Sequence, residues 1–203
     1  ETMLAESGEI DGFDLHVARL QRGVERLQIT VPGIDEKSLT ESISRLLESN
    51  ELGAKQTRVR VTVMEGNTLI QAAEASLPDD VCSAVVSEYA LNERSATTGI
   101  KCGSYAPNMV AMRQVDTDEV IFLNTLGHVA ESAMANLFIV NDGVLITPSL
   151  VSGCLPGVTR ELLIRRCRAA GMGVQECVIQ LEDLFDADLA AIASAGLRLG
   201  IST

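Results

Sequence analysis

A chain of 203 residues with 46% hydrophobic and 22% charged content can bury a core without disulfides or a metal, and it carries no low-complexity or like-charge run that would keep a segment disordered. Acidic residues outnumber basic ones 28 to 16 and no Lys/Arg stripe offsets the resulting net charge of -12, which excludes nucleic acid and anionic membrane as partners. Five scattered cysteines, no C-x-x-C and only two histidines speak against a disulfide framework and a zinc site. With no apolar run of about 18 residues and no signal-peptide pattern, the expected compartment is the cytoplasm.

The opening ETMLAESGEI reads as a strand entered partway, so the natural start of the protein is expected upstream of it. Over residues 15–31, Leu15, Ala18, Leu20, Val24 and Leu27 fall roughly on one helical face, and the segment then passes into a β-branched, strand-like tail. A second helix is expected over 35–49, after the turn Pro32-Gly33. RVRVTVMEG at 58–66 alternates with period two, as a half-buried strand does, and ends on the turn Glu65-Gly66-Asn67. The pattern loosens at 75–79, where a boundary separates a small domain, 1–78, from a larger one, 79–203. Then come a strand at 81–91, a helix at 105–112, and the strands EVIFLN, NLFIV and GVLITP, with hairpin turns at Asn124-Thr-Leu-Gly127 and Asn141-Asp-Gly143. A helix at 159–171, a strand at 174–180, a short helix LEDLFDADL and a last strand AAIAS complete the order. Hairpins mixed with helices, without regular βαβ alternation, give an α+β fold in two subdomains.

Four positions can carry chemistry. In GCLPGVTREL, glycines before a helix start let backbone N–H groups turn toward one point, either as a cup for an anion or as an ordinary strand-to-helix turn. Lys101 lies among small and apolar residues in GIKCGSY; out of water its amine is a nucleophile toward an aldehyde, and in a surface loop it is only a solvated cation. Glu131, in GHVAESAMANLF, faces either a cation or water. Arg19, in HVARL, lies on or beside the buried face of the first helix, where most arginines snorkel to solvent, and His16 reads as a packing or capping residue. Together they offer a nucleophilic lysine, an anion cup, a second phosphate contact and a carboxylate, the set that pyridoxal 5'-phosphate needs.

The motifs ETM, HVARL, NERS with IKCGSY, ESAMANLFIVNDGVLITP, GCLPGVTREL and DLFDAD, in that order, make the chain resemble the fold-type IV pyridoxal-phosphate enzymes, the class IV aminotransferases. The resemblance implies a small N-terminal α/β domain and a larger C-terminal barrel-like domain, the cofactor between them, and a homodimer. It makes Lys101 the residue that forms the Schiff base with the cofactor, and Tyr105 the tyrosine that approaches its ring. Glu131 becomes the acid paired with the pyridine nitrogen, which keeps the ring an electron sink. Arg19 and the helix start at Gly157, Val158 and Thr159 become phosphate ligands, with Ser194 as the hydroxyl beside the phosphate and Ala195 and Gly196 as substrate contacts. Two departures stand out: Leu189 replaces the family's usual Glu, and the segment between Lys101 and Asp118 is several residues short.

Within the family, GCLPGVTR is similar to the aminotransferase branch and AMANLF to the 4-amino-4-deoxychorismate lyase branch. The expected activity is transfer of an amino group between an amino acid and a 2-keto acid, both small-molecule partners. The alternatives are a lyase releasing pyruvate and p-aminobenzoate, and a non-catalytic member of the fold.

Overall fold

The computed structural model describes residues 1–75, 81–195 and 197–202. The chain divides into two compact units, Glu1–Leu77 and Pro78–Thr203. The boundary expected between 78 and 79, like Gly196, lies outside the described residues.

In the first unit, β1 (Thr2–Glu6), β2 (Glu9–Ile10), α1 (Phe13–Arg26), α2 (Glu36–Ser49), β3 (Thr57–Met64) and β4 (Asn67–Glu74) follow in order. The strands form one antiparallel sheet ordered β2-β1-β3-β4. The period-two pattern of β3 is realised directly, with Thr57, Val59 and Val61 buried and Arg58 and Arg60 exposed. Val59 and Val61 share a core with Met3, Ala5 and Val17, and with Leu39, Ile43 and Leu47, which recur every four residues as one stripe of α2. That helix starts where Asp35 caps it: the carboxylate accepts the Ser38 N–H at 3.0 Å and the Ser38 hydroxyl at 2.7 Å.

Two sequence expectations change here. The tail at 29–31 forms no strand, because Gln28 turns the chain with φ 54 and Thr30 is taken by the β3–β4 turn instead: its N–H reaches Glu65 at 3.1 Å and its carbonyl accepts the Gly66 N–H at 2.8 Å. β4 was not anticipated, since its residues are at most half-buried and leave little apolar signal.

The second unit comprises β5 (Val81–Val86), α3 (Ala106–Arg113), β6 (Glu119–Leu123), β7 (Val129–Ser132), β8 (Asn136–Asn141), β9 (Val144–Pro148), α4 (Val158–Ala169), β10 (Val174–Cys177), α5 (Leu181–Phe185), β11 (Leu189–Ser194) and β12 (Leu197–Ser202). Its mixed sheet runs β10-β9-β8-β11-β12-β5-β6-β7 and curls until the edges meet, where the Val129 N–H of β7 donates to the Ile179 carbonyl beyond β10 at 2.9 Å. Cys82, Ile121, Val129, Leu137, Ile139, Ile179 and Ile192 fill its interior. The barrel-like form matches the expected fold class. AAIAS is not the last strand, because β12 pairs back along it, and the strand expected over 81–91 stops at Val86. LEDLFDADL is helical only to Phe185; Asp188 turns away to accept the Asp142 N–H at the β8–β9 turn, at 2.9 Å. Among the described residues, no helix is long and apolar enough to cross a membrane.

Truncating Leu39, which is almost fully buried, should lower stability by about 2–5 kcal/mol, and Asp35→Ala, which removes only the cap, by about 1 kcal/mol. Urea unfolding of both variants against the parent measures the two effects.

Candidate active site

The loop of GCLPGVTREL is held by two side chains from one turn of the sheet. Glu131, in β7, accepts the Leu155 N–H on Oε2 at 2.8 Å, and Asn136, the first residue of β8, donates from Nδ2 to the Leu155 carbonyl at 2.8 Å. Both polar groups of one loop residue are therefore fixed. Two residues on, Gly157 is the N-cap of α4 and supplies no side-chain cap, so the first-turn N–H groups and the positive end of the helix dipole face out of the helix start. Gly157 is obligatory there: a Cβ would stand 1.9 Å from Asn136 Oδ1. Gly153, with φ 95, is constrained similarly, since a Cβ would meet Leu91 Cδ2 at 2.5 Å. Arg160, buried in the first turn of α4, donates to the Pro148 carbonyl and to Glu176 Oε2, each at 2.9 Å, and so ties the helix start to the ends of β9 and β10.

Glu131 is aimed by a bulge. Phe122 pairs with Glu131 and Leu123 with Val129, leaving Ala130 as an extra residue that re-aims the strand just before the carboxylate. Burial pushes the Glu131 carboxyl up to about 7, and the Leu155 N–H and the charge of Lys101 only partly oppose it. Such a group gains from a cation brought against it. The solvated reading of Glu131 is thereby set aside.

Lys101 is half-buried, and its ammonium donates to the Tyr105 hydroxyl at 3.1 Å while lying 5.3 Å from the centre of that ring. Tyr105 is the N-cap residue of α3, four positions after the lysine, so the helix start fixes the phenol against the amine. The lysine loop runs beside the α4 loop: a Cβ on Gly99 would be 3.8 Å from Pro156 Cδ. The NERS segment braces this side. Asn92 accepts the Arg94 N–H and the Thr98 hydroxyl, and Glu93 binds Thr125 of the β6–β7 turn through its N–H and hydroxyl. Cys154 is buried beside Glu131, and burial followed by that carboxylate's charge pushes its thiol up to about 12, so it is inert.

Val158 is buried and Thr159 half-buried at the helix start. Ser194 closes β11 one residue after Ala193, which pairs with Asn136, so its hydroxyl lies at the same end of the sheet, on the strand against which α4 packs. Ala195 is half-buried in the turn that follows; Gly196 is outside the described residues. Leu189 sits at the other end of β11 opposite Val140, five residues or roughly 16 Å from Ser194, so that departure is remote from this cluster.

Arg19 belongs to the first unit. It is 7% exposed and does not snorkel: Nε and Nη2 grip the Glu1 carboxylate at 3.0 and 2.5 Å, and His16 Nδ1 lies 2.9 Å from the same group. Burial works to raise the Glu1 carboxyl, yet the bonds from His16 and Arg19 overcome it and hold it well below the usual carboxylate range. His16 is a buried hydrogen-bonded histidine, as its place in α1 suggested. Sequence reasoning missed Asn136 and Leu155; the signal available was a lone amide opening the otherwise apolar strand NLFIV.

The model of the amino-transferase class IV family matches residues 1–201. The aminodeoxychorismate lyase of Bacillus subtilis is 29% identical over 207 residues, covering 92% of this chain and 70% of that protein. The branched-chain-amino-acid aminotransferase of Escherichia coli K12 is 38% identical over 89 residues, which are 42% of this chain and 29% of that one. The crystal structure of a branched-chain aminotransferase from Thermoproteus uzoniensis superposes with a TM-score of 0.88 at 25% identity, over 99% of this chain and 75% of that one. The chain belongs to the class IV aminotransferase family, whose enzymes work with pyridoxal 5'-phosphate.

Proposed function

We propose that this protein binds pyridoxal 5'-phosphate and transfers an amino group between an amino acid and a 2-keto acid, with Lys101 as the residue that bonds the cofactor aldehyde. The observation that carries the reading is the assembly of Lys101, Tyr105, Glu131 and the α4 start in one unit, with Glu131 raised by burial to a state that favours a cationic partner. The residues fit the group: a phosphate suits the side-chain-free cradle at Gly157, and a protonated pyridine nitrogen suits Glu131. The cofactor, when bound, supplies a ring that accepts the electron pair left on a substrate Cα when its proton departs.

Each residue then has one task. Glu131 holds the ring nitrogen protonated. Lys101, steered by the Tyr105 hydroxyl, takes the Cα proton on Nζ and returns it. Gly157, Val158 and Thr159 hold the phosphate through the helix start, Ser194 adds a hydroxyl, and Ala195 and Gly196 meet substrate. The working form is a cytoplasmic homodimer.

The second reading, release of pyruvate and p-aminobenzoate from 4-amino-4-deoxychorismate, is supported by the 29% identity to the Bacillus subtilis lyase. The same lysine and acid serve both reactions. Assays with glutamate and branched keto acids, and separately with aminodeoxychorismate, divide them; pyruvate formed without an amino acceptor selects the lyase.

Borohydride added to protein equilibrated with pyridoxal 5'-phosphate should fix the cofactor on the peptide containing Lys101, and Lys101→Ala should lose turnover by roughly 10³-fold or more. A folded Lys101→Ala protein with parental turnover would sink the assignment. Gly157→Ala should weaken cofactor binding on the order of tenfold, because the new methyl displaces Asn136 from Leu155; titration of cofactor absorbance reads it. Glu131 predicts a pH dependence. Its folded value of about 7 exceeds the ordinary 4.5, so without cofactor its contribution to stability is fully present below the unfolded value and is lost as pH rises through about 7. Cofactor-free Glu131→Gln should therefore be more stable than the parent in urea unfolding at pH 8, by at most roughly 3 kcal/mol, and the difference should vanish as pH falls below the unfolded value.

A further inference from the structure

Glu119 opens β6 and is only 4% exposed, yet it has no role in the chemistry above. Its carboxyl group accepts the Val120 N–H at 3.0 Å, and the Ser132 hydroxyl and the Met134 and Ala133 N–H groups face it. Burial pushes the Glu119 carboxyl up, and these donors only partly oppose that. Three of its four partners belong to the turn at 132–135, between β7 and β8. That turn carries Glu131 at one end and Asn136 at the other, the two side chains that hold Leu155.

The turn, Ser-Ala-Met-Ala, has little side chain to pack with: Ala133 and Ala135 are buried in the core but each offers a single methyl group, and Met134 is exposed. Polar ties add to that packing. The Ser132 N–H reaches the Ala135 carbonyl at 2.9 Å, the Ala135 N–H reaches Ser132 Oγ at 3.0 Å, and the Ala133 N–H reaches the Val120 carbonyl at 2.9 Å. From α3, three residues after Tyr105, Asn108 donates to the Ala133 carbonyl at 2.8 Å. The Ser132 hydroxyl has one proton and two neighbouring acceptors, the Ala135 carbonyl at 3.0 Å and Glu119. Glu119 is the buried side chain that the inward-facing donors of the turn face, and removing it withdraws an acceptor from the Met134 N–H while the Ala133 N–H and the Ser132 hydroxyl keep the Val120 and Ala135 carbonyls.

We propose that Glu119 is a positioning residue for the cofactor site: its buried carboxyl group fixes the turn at 132–135 and with it the placement of Glu131 and Asn136 on Leu155. Its effect on catalysis rests on the proposed role of Glu131; the placement itself is readable without cofactor. Leu155 supplies the probe, since its N–H is protected only while Glu131 stays in place.

Amide hydrogen exchange on the full chain, free of cofactor, tests this. In Glu119→Ala, the Met134 and Leu155 amides should exchange on the order of tenfold faster than in the parent, while Phe138 and Ala191, in the β8–β11 ladder, keep parental rates. Glu119→Gln should stay near the parent, because its carbonyl oxygen still accepts. If Glu119→Ala does not fold, Ser132→Ala should shift Leu155 in the same direction by a smaller factor. Parental exchange at Leu155 in the folded variant, or equal acceleration at every amide, overturns the proposal. A cofactor-loaded Glu131→Gln protein with parental activity overturns only the catalytic consequence, and the exchange result separates that failure from the first.

Discussion

Leu155 is the point on which the second unit's site depends. Its N–H and its carbonyl are each committed to a side chain, from residues 24 and 19 positions earlier in the chain. With the two peptide units that flank Leu155 each held by a side chain, the chain enters α4 in one direction and the helix dipole points one way. The same two bonds satisfy the backbone groups of a half-buried loop residue, and the first-turn N–H groups of α4 are left for a ligand. Gly157 follows from it, because Asn136 occupies the space where a Cβ would stand.

The first unit shows a different solution to the same problem of presenting charge. Arg19 is buried, which desolvates a guanidinium, and the two-point grip of Glu1 supplies the compensating charge and fixes the plane of the group. His16 holds the other side of that carboxylate. An arginine set in this way keeps one orientation, in contrast to one that reaches out from a surface.

Much of this was legible in the sequence. The period-two run of β3, the Leu39, Ile43 and Leu47 stripe and the Asn141-Asp-Gly143 turn each carry local signals strong enough to survive in the fold. Lys101 and Glu131 were recognisable by residue type in unusual surroundings. Other features were invisible because they are pairings between distant segments. β12 and β4 have no pattern that stands apart, the Ala130 bulge appears only when two strands are set in register, and the contact of Asn136 with Gly157 joins residues that no spacing rule connects. The tail at 29–31 failed for the converse reason: its β propensity was real, but the β3–β4 turn had already claimed Thr30.

The meeting of Val129 with Ile179 has a consequence for the order of folding. Val129 stands one residue before the bulge at Ala130 and two before Glu131, so the hydrogen bond that seals the sheet also delivers the acid to its place. The pairing joins segments 50 residues apart by their numbering, the kind of contact that forms late because chain entropy must be given up first. Opening the sheet at this seam removes a tie two residues before the carboxylate that pins the α4 loop. A ligand that selects the completed site also selects the sealed barrel, and its concentration governs how rarely the sheet reopens to expose strand edges.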